Sequence, residues 1–437
     1  MAGTMRPEPI STRREWIAEL ASREPKWRLT TLAHHIDRTW LLEAWRKTRK
    51  DGATGIDGMT AAEFGRDLHE RLGELEDRVK AGRWRAPPVR RTYIPKAGGK
   101  QRPLGIPTIE DKVLQRAFVM LLEPVFEQDF MPFSYGFRPG RSAHQALTAV
   151  REGLRKMDGG WVLDVDLSSF FDTVDHAILR ELVNERVGDG VVLRMIGKWL
   201  NAGVMEDGVV HRSTRGTPQG GVISPLLANL YLHHAVDLWF DRDVLPRMRG
   251  RAFMVRYADD FVMGFEREDD ARRVLSVLPR RLERFRLTMN PEKTRLVYFG
   301  RPMDGGEPPG TFDFLGFTLH WGKGRRGRQG IRWKTSKKSS NRILRAFHEW
   351  CRRHRHRPIA VQAAALGRKL RGHYAYFGLT MNMPSLQKVF QRVVRIWRTW
   401  LDQRSQRGRM PWKKYGKLLA RYPLPRPKVV HSVYRRA

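Results

Sequence analysis

The chain has 437 residues, room for two or three domains of roughly 100–200 residues each. Hydrophobic residues at 41% and aromatic residues at 10% can fill a sizeable core, which excludes a disordered chain. Against 46 Asp and Glu stand 82 Lys and Arg, a formal net charge of +36 that points to a polyanionic partner through the release of condensed counterions.

Residues 1–12 read as unstructured and carry no apolar core of a secretory signal. They open an N-terminal extension, 1–78, whose helical periodicity begins near Trp16 and returns from Thr39 to Lys50. Asp51-Gly52 and Gly55-Ile56-Asp57-Gly58 break it, and a further helix is expected from Ala61 to Val79. Val89 to Pro95 reads as a strand, Ala97 to Lys100 as a turn and Arg102 to Ile106 as the return strand, with a helix from Asp111 to Phe126. Then come a strand from Trp161 to Leu167, a helix from Asp175 to Val187 and two short strands between Phe253 and Phe265. An amphipathic helix from Asp269 to Phe285 and a strand from Thr294 to Phe299 complete the series. The order β-α-β-β-α-β is the split βαβ arrangement of ferredoxin-like sheets, with an insertion holding Gly216 to Trp239.

Residues 321–337 read as a basic Gly/Lys/Arg-rich linker, and 338–437 as an all-α domain. Its first helix puts Ile343, Leu344, Phe347, Trp350 and Cys351 on one face, and its second runs from Pro358 to Tyr376. The third, Leu386 to Leu401, turns Val389, Phe390, Val393, Trp397 and Trp400 inward and Gln391, Arg392, Arg395 and Arg398 outward. From Trp321 onward 32 Lys and Arg face only Glu349 and Asp402, a net +30 that leaves +6 for the first 320 residues. A basic surface interleaved with aromatics suits nucleic acid. No apolar run approaches the roughly 20 residues of a membrane span, so no membrane partner is expected. Cys351 is the single cysteine, which excludes an intramolecular disulfide and a cysteine zinc site; a reducing cytoplasm is the simplest location.

Tyr257-Ala258-Asp259-Asp260 sits between the apolar runs Phe253-Met254-Val255 and Phe261-Val262-Met263, so two carboxylates fall at a tight hairpin turn. Anions packed beside a sheet call for a cation, and oxygen donors suit a hard divalent one. Asp269-Asp270 opens a helix, where the dipole favours acids, and reads as structural. Asp164 and Asp166 share one face of the strand Trp161–Leu167 because strand side chains alternate. In a split βαβ sheet that strand borders the hairpin, so one of the two can approach Asp259. The ordinary alternative for Asp166 is an ion pair at a strand end.

Several stretches resemble reverse transcriptases, and among them the group II intron branch. Tyr257-Ala258-Asp259-Asp260 resembles the active-site box, and Asp166-Leu167-Ser168-Ser169-Phe170-Phe171-Asp172 the first palm motif. Gly216-Thr217-Pro218-Gln219-Gly220-Gly221 through Leu226, Ile94-Pro95-Lys96 with Arg102-Pro103-Leu104-Gly105, Ser134-Tyr135-Gly136-Phe137-Arg138-Pro139 and Phe314-Leu315-Gly316-Phe317 follow the same pattern. The resemblance implies an α+β right-hand polymerase, with fingers and ferredoxin-like palm over 79–320 and a maturase-type thumb at the C-terminus. It also picks Asp166 over Asp164. Asp166, Asp259 and Asp260 would be catalytic and, with the Leu167 carbonyl, hold two Mg²⁺ ions. Lys96, Arg102, Gln219 and Lys293 would contact the dNTP, and Phe171 would exclude a 2′-hydroxyl; plain core packing is the alternative for Phe171. Tyr257 would lie near the primer end, and Arg392, Arg395 and Arg398 would grip nucleic acid.

The partners implied are an RNA template (group II intron RNA), a DNA primer or target, and dNTPs, with a further role in intron splicing and mobility. Ser168-Ser169 departs from the Lys-Gly often seen in the family at that place, which affects template contacts. The paired cysteines of the endonuclease region that many relatives append are missing, so target cleavage is not expected. The rival readings are a maturase that only folds intron RNA, and a free-standing, defence-type reverse transcriptase.

Overall fold

The structure, a computed structural model, describes residues 9–23, 27–95, 101–206, 208–211, 215–216, 220–303, 305–324, 327–405 and 409–432. The chain divides into two compact units: Met1–Ala146 with Leu163–Leu296, and Leu147–Val162 with Val297–Ala437.

In the first unit the helix Ile109–Phe126 forms the central pillar. Thr108 caps it by accepting from the Asp111 amide, and Val113, Leu114, Ala117, Phe118, Leu121, Leu122 and Val125 are all fully buried along it. The helices Ile10–Arg23 and Arg38–Lys47 pack against it, and the buried indole of Trp40 donates to the Ala117 carbonyl at 2.9 Å. The expected helix Ala61–Val79 is two, Ala61–Phe64 and Leu68–Lys80. Thr60 and Glu63 form a capping box that starts the first, and Gly65 follows it.

Two sheets belong to the polymerase-like region of the sequence. Strands β1 (Val89–Pro95) and β2 (Gln101–Ile106) form the expected hairpin, and β4 (Val204–Glu206) and β5 (Val209–His211) extend it in the order β2-β1-β4-β5, with β3 (Trp161–Val165) elsewhere. The second sheet holds β3, β6 (Ala252–Tyr257), β7 (Asp260–Phe265) and β8 (Arg295–Tyr298) in the order β6-β7-β3-β8. That is the order which a β-α-β-β-α-β pattern predicts, with the first strand between the hairpin and the last. Between β3 and β6 run the helices His176–Arg186, Gly190–Leu200 and Ser224–Leu232, and Glu268–Glu283 joins β7 to β8. Asp175 caps His176–Arg186 through the amides of Ala177 and Ile178.

In the second unit the stretch 338–437 is helical, as expected, but the stretch before it is not a linker. Residues 321–337, expected as a linker, mostly belong to a three-stranded sheet: β9 (Phe312–Phe314), β10 (Phe317–Lys323) and β11 (Gln329–Thr335), in the order β11-β10-β9. The cross-strand pairs Leu319↔Trp333 and Trp321↔Ile331 line one face, and Trp333 is buried. Glycines and basic residues between them mask this alternation in the sequence. Among the described residues four helices follow: Lys337–His354, Ile359–Phe377, Met383–Asp402 and Trp412–Arg421, one more than expected. Asn382, fully buried, ties sheet to helices by accepting from the Thr335 amide and donating to the Thr335 hydroxyl and the Phe377 carbonyl, each at 2.8 Å. Of the side chains expected inward on the third helix, Val389, Val393 and Trp397 are buried, while Phe390 and Trp400 are half-buried. Cys351 is buried, and desolvation pushes its thiol up to about 12, so it serves packing. No described helix is long and apolar enough to cross a membrane.

Candidate active site

Asp166 follows the last residue of β3, and its backbone runs against the segment Thr288–Asn290. The Asn290 amide donates to the Asp166 carbonyl at 2.8 Å, and the Ser168 amide to the Thr288 carbonyl at 2.9 Å. Leu167 bridges Met289 between them. The Asp166 carboxylate accepts from the Lys293 ammonium at 2.9 Å, with the two side chains 33% and 57% exposed. The motif Asn290-Pro291-Glu292-Lys293 therefore lies on the first acidic motif, and Lys293 is a counterion of Asp166.

Tyr257 and Asp260 close the β6–β7 hairpin as its last register pair, leaving Ala258 and Asp259 as the turn. Tyr257 and Asp259 are half-buried and Asp260 is exposed. Strand β7, which starts at Asp260, is the sheet neighbour of β3, which ends before Asp166. Among the described residues no group of three or more His, Cys, Asp or Glu is gathered to hold a metal ion. The donors do fit a hard divalent cation in kind, being carboxylate oxygens, and the Lys293 ammonium is a positive charge already drawn to one of them.

Phe171 sits in the short helix Phe170–Thr173, entered through Ser169 in a left-handed conformation (φ 46°). Its ring meets Phe170 edge-on at 5.2 Å and is half-buried. The loop around Gln219 is held at both ends. At one end, a Cβ on Gly216 (φ 89°) would lie 3.3 Å from the Phe171 carbonyl oxygen. At the other, a Cβ on Gly220 (φ 114°) would lie 2.5 Å from the Gly105 carbonyl oxygen in β2. Only glycine permits both approaches. They bring the Phe171 segment and the strand carrying exposed Arg102 to the two ends of one loop. Lys96 and Gln219 lie outside the described residues.

Beyond Gly220 the chain is fastened by a buried relay absent from the sequence reading. The Gln115 side-chain oxygen accepts from the amides of Val222 at 2.7 Å and Ile223 at 3.2 Å. The Gln115 amide donates to Asp111 at 2.9 Å, and the Trp199 indole donates to the other Asp111 oxygen at 2.7 Å. A second unforeseen group surrounds the hairpin turn: Arg256, Asp237 and Asn229, all essentially inaccessible to solvent. No motif marked these residues. An Arg inside an otherwise apolar strand, as in Met254-Val255-Arg256, was the available signal.

In the second unit Arg392 and Arg395 are exposed on Met383–Asp402. They border a groove of about 530 Å³ shared with Asn341, Leu344, Arg345, His348 and Ile396. Arg398 departs from the expectation of an outward contact. It is half-buried, donates to the Met410 carbonyl at 2.9 Å and lies 4.4 Å from the Trp412 ring centroid.

Residues 94–319 match the family described as reverse transcriptase (RNA-dependent DNA polymerase). Protein YkfC of Escherichia coli (strain K12) is 37% identical across 58% of this chain and 75% of its own length. The group II intron-encoded protein LtrA of Lactococcus lactis subsp. cremoris is 40% identical across 41% of this chain and 31% of its own. The putative COX1/OXI3 intron 2 protein of Saccharomyces cerevisiae is 34% identical across 37% of this chain and 19% of its own, so the chain matches under a third of each intron-encoded relative. The chain belongs to the reverse transcriptases of the group II intron type and is an RNA-directed DNA polymerase.

Proposed function

We propose that the first unit carries the fingers and palm of a right-hand polymerase and the basic helices of the second its thumb. The primer 3′-hydroxyl attacks the α-phosphate of a dNTP. The new O–P bond forms as the bond to the β-phosphate breaks, pyrophosphate leaves, and the hydroxyl proton is released. Asp166, the Leu167 carbonyl, Asp259 and Asp260 would hold two Mg²⁺ ions, which lower the pKa of the attacking hydroxyl and neutralise the leaving phosphate. Positioning by the protein supplies much of the remainder.

Arg102 and Lys96 clamp the triphosphate, Arg through paired hydrogen bonds and Lys as a point charge. Gln219 contacts the incoming nucleotide. Phe171 stands where a 2′-hydroxyl would collide with it, and Tyr257 packs near the primer end. Lys293 shields the Asp166 carboxylate and adds positive charge beside the triphosphate. Arg392 and Arg395 grip the backbone of an RNA template, group II intron RNA in the first instance, so that the chain also assists splicing and mobility. The observation that carries this reading is the sheet order, which makes the strand that ends just before Asp166 the neighbour of the strand starting at Asp260.

The test is primer extension on an RNA template with dNTPs and Mg²⁺. Asp259→Asn should abolish extension while RNA affinity stays near that of the parent. Equal extension by the variant would remove Asp259 from the site. A parent chain that binds intron RNA and promotes splicing without extending a primer would favour the maturase alternative.

A further inference from the structure

The turn that presents Asp259 depends on an unfavourable conformation. Ala258 has φ 56°, a left-handed value that costs a non-glycine residue energy and persists only where the surroundings impose it. The two-residue hairpin requires it, and a buried cluster of polar groups outside the acidic set holds the Ala258 carbonyl in place. The Arg256 guanidinium, fully buried, donates Nε to Asp237 at 2.7 Å and Nη2 to the second Asp237 oxygen. Its Nη1 reaches the Asn229 side-chain oxygen at 3.0 Å and the Ala258 carbonyl at 3.1 Å. Burial pushes the Asp237 carboxyl up, but the Arg256 charge and hydrogen bonds outweigh it and hold the acid below its ordinary value.

Asn229 continues the chain by donating to the Gly136 carbonyl at 2.6 Å. Gly136 backs the turn so closely that a Cβ there would lie 2.2 Å from the Ala258 nitrogen. The main chain of Arg256 is tied to the same loop, donating to Phe133 at 2.9 Å and accepting from the Tyr135 amide at 2.8 Å.

We propose that Arg256, locked by Asp237 and Asn229, is a positioning residue that sets the direction in which the turn presents Asp259. Four segments distant in sequence converge on the Ala258 carbonyl through it: β6, the loop at Gly136, the helix Ser224–Leu232 and the π-helical turn His233–Asp237. Apolar residues of similar volume can replace a buried ion pair with little loss, but Arg256 also supplies the donor for Asn229 and the Ala258 carbonyl. The shape of the turn requires that donor. The motif Ser134-Tyr135-Gly136 thereby gains a role, as the backing plate of the Asp259 turn.

The test pairs steady-state primer extension with thermal melting. The double variant Arg256→Met/Asp237→Leu removes both charges together. It should still melt cooperatively, below the parent because Asn229 and the Ala258 carbonyl lose their donor, and keep its KM for dNTP, while kcat measured well below that melting temperature falls at least about tenfold, since a displacement of about 1 Å in a reacting group can cost on the order of a hundredfold. A folded double variant with parental kcat overturns the proposal, as does a kcat loss that only tracks melting temperature. If the double variant does not fold, Arg256→Lys decides. It keeps the charge for Asp237 but cannot reproduce the fan of bonds, so a lower kcat at unchanged KM and melting temperature supports the proposal and parental kcat sinks it. Extension by the parent in the same assay separates failure of this proposal from failure of the polymerase site itself.

Discussion

Replacing Asp111 with Asn is expected to remove a pH dependence of stability centred on the relay from Trp199 through Asp111 and Gln115 to Val222. Asp111 is 1% exposed, and its pKa is pushed up from 3.8 to about 7. Burial is the main cause and Glu110 adds to it, against hydrogen bonds from Trp199 and Gln115 and the charge of Lys112. Between pH 4 and 7 the folded chain therefore keeps a proton that the unfolded chain has released. The stabilisation is complete below the unfolded pKa and is lost as pH rises through about 7. The whole displacement is worth about 4 kcal/mol, about 2 kcal/mol of it between pH 5 and 7. Urea unfolding of parent and variant at pH 5, 6, 7 and 8 measures it. The stability of the parent relative to the variant should fall by about 2 kcal/mol from pH 5 to 7. A difference that stays constant over that range would refute a proton held on Asp111.

Phe171→Ala should raise use of ribonucleotides relative to deoxynucleotides by roughly tenfold or more, read as the ratio of kcat/KM values, because the ring no longer meets the 2′-hydroxyl. Arg392→Ala and Arg395→Ala should each weaken RNA binding without altering the melting temperature. Each should also make the dependence of log Kd on log salt shallower by about one, as a lost phosphate contact does. Arg398→Ala should behave in the opposite way, costing about 1–2 kcal/mol of stability through the lost Met410 bond and Trp412 stacking and leaving RNA affinity alone.

How much of this was legible in the sequence depended on whether the signal was local. Continuous apolar runs on both sides of Ala258-Asp259 mark both strands of the hairpin, and the strand Val89 to Pro95 has the expected bounds. The acids at the turn stood out because charge beside a buried strand is rare. Arg256 carried the same kind of signal, yet its partners lie 19 and 27 positions away, a pairing that periodicity cannot report. The pairing of Asp166 with Lys293 spans 127 positions; an ion pair stood there only as the alternative to a metal site, with a neighbouring Arg as partner. In strands β10 and β11 the Gly, Lys and Arg between Leu319, Trp321, Ile331 and Trp333 dominate the local composition and hide the alternation of these four apolar residues. Arg398 looked like its neighbours on the helix wheel; only the return of the chain at Met410 and Trp412 turned it into a packing residue.

The second unit is not a contiguous block of sequence. It takes in Leu147–Val162 from the middle of the chain, where Arg151 donates to the Ile331 carbonyl at 3.1 Å and lies 5.8 Å from the Trp333 ring. A fragment cut to begin at residue 297 would lack that segment and expose the face of β11 that it covers. The basic half therefore cannot be grafted between polymerases as a cassette at a single junction. During synthesis, residues 147–162 must also wait until at least residue 331 has emerged before those contacts can close.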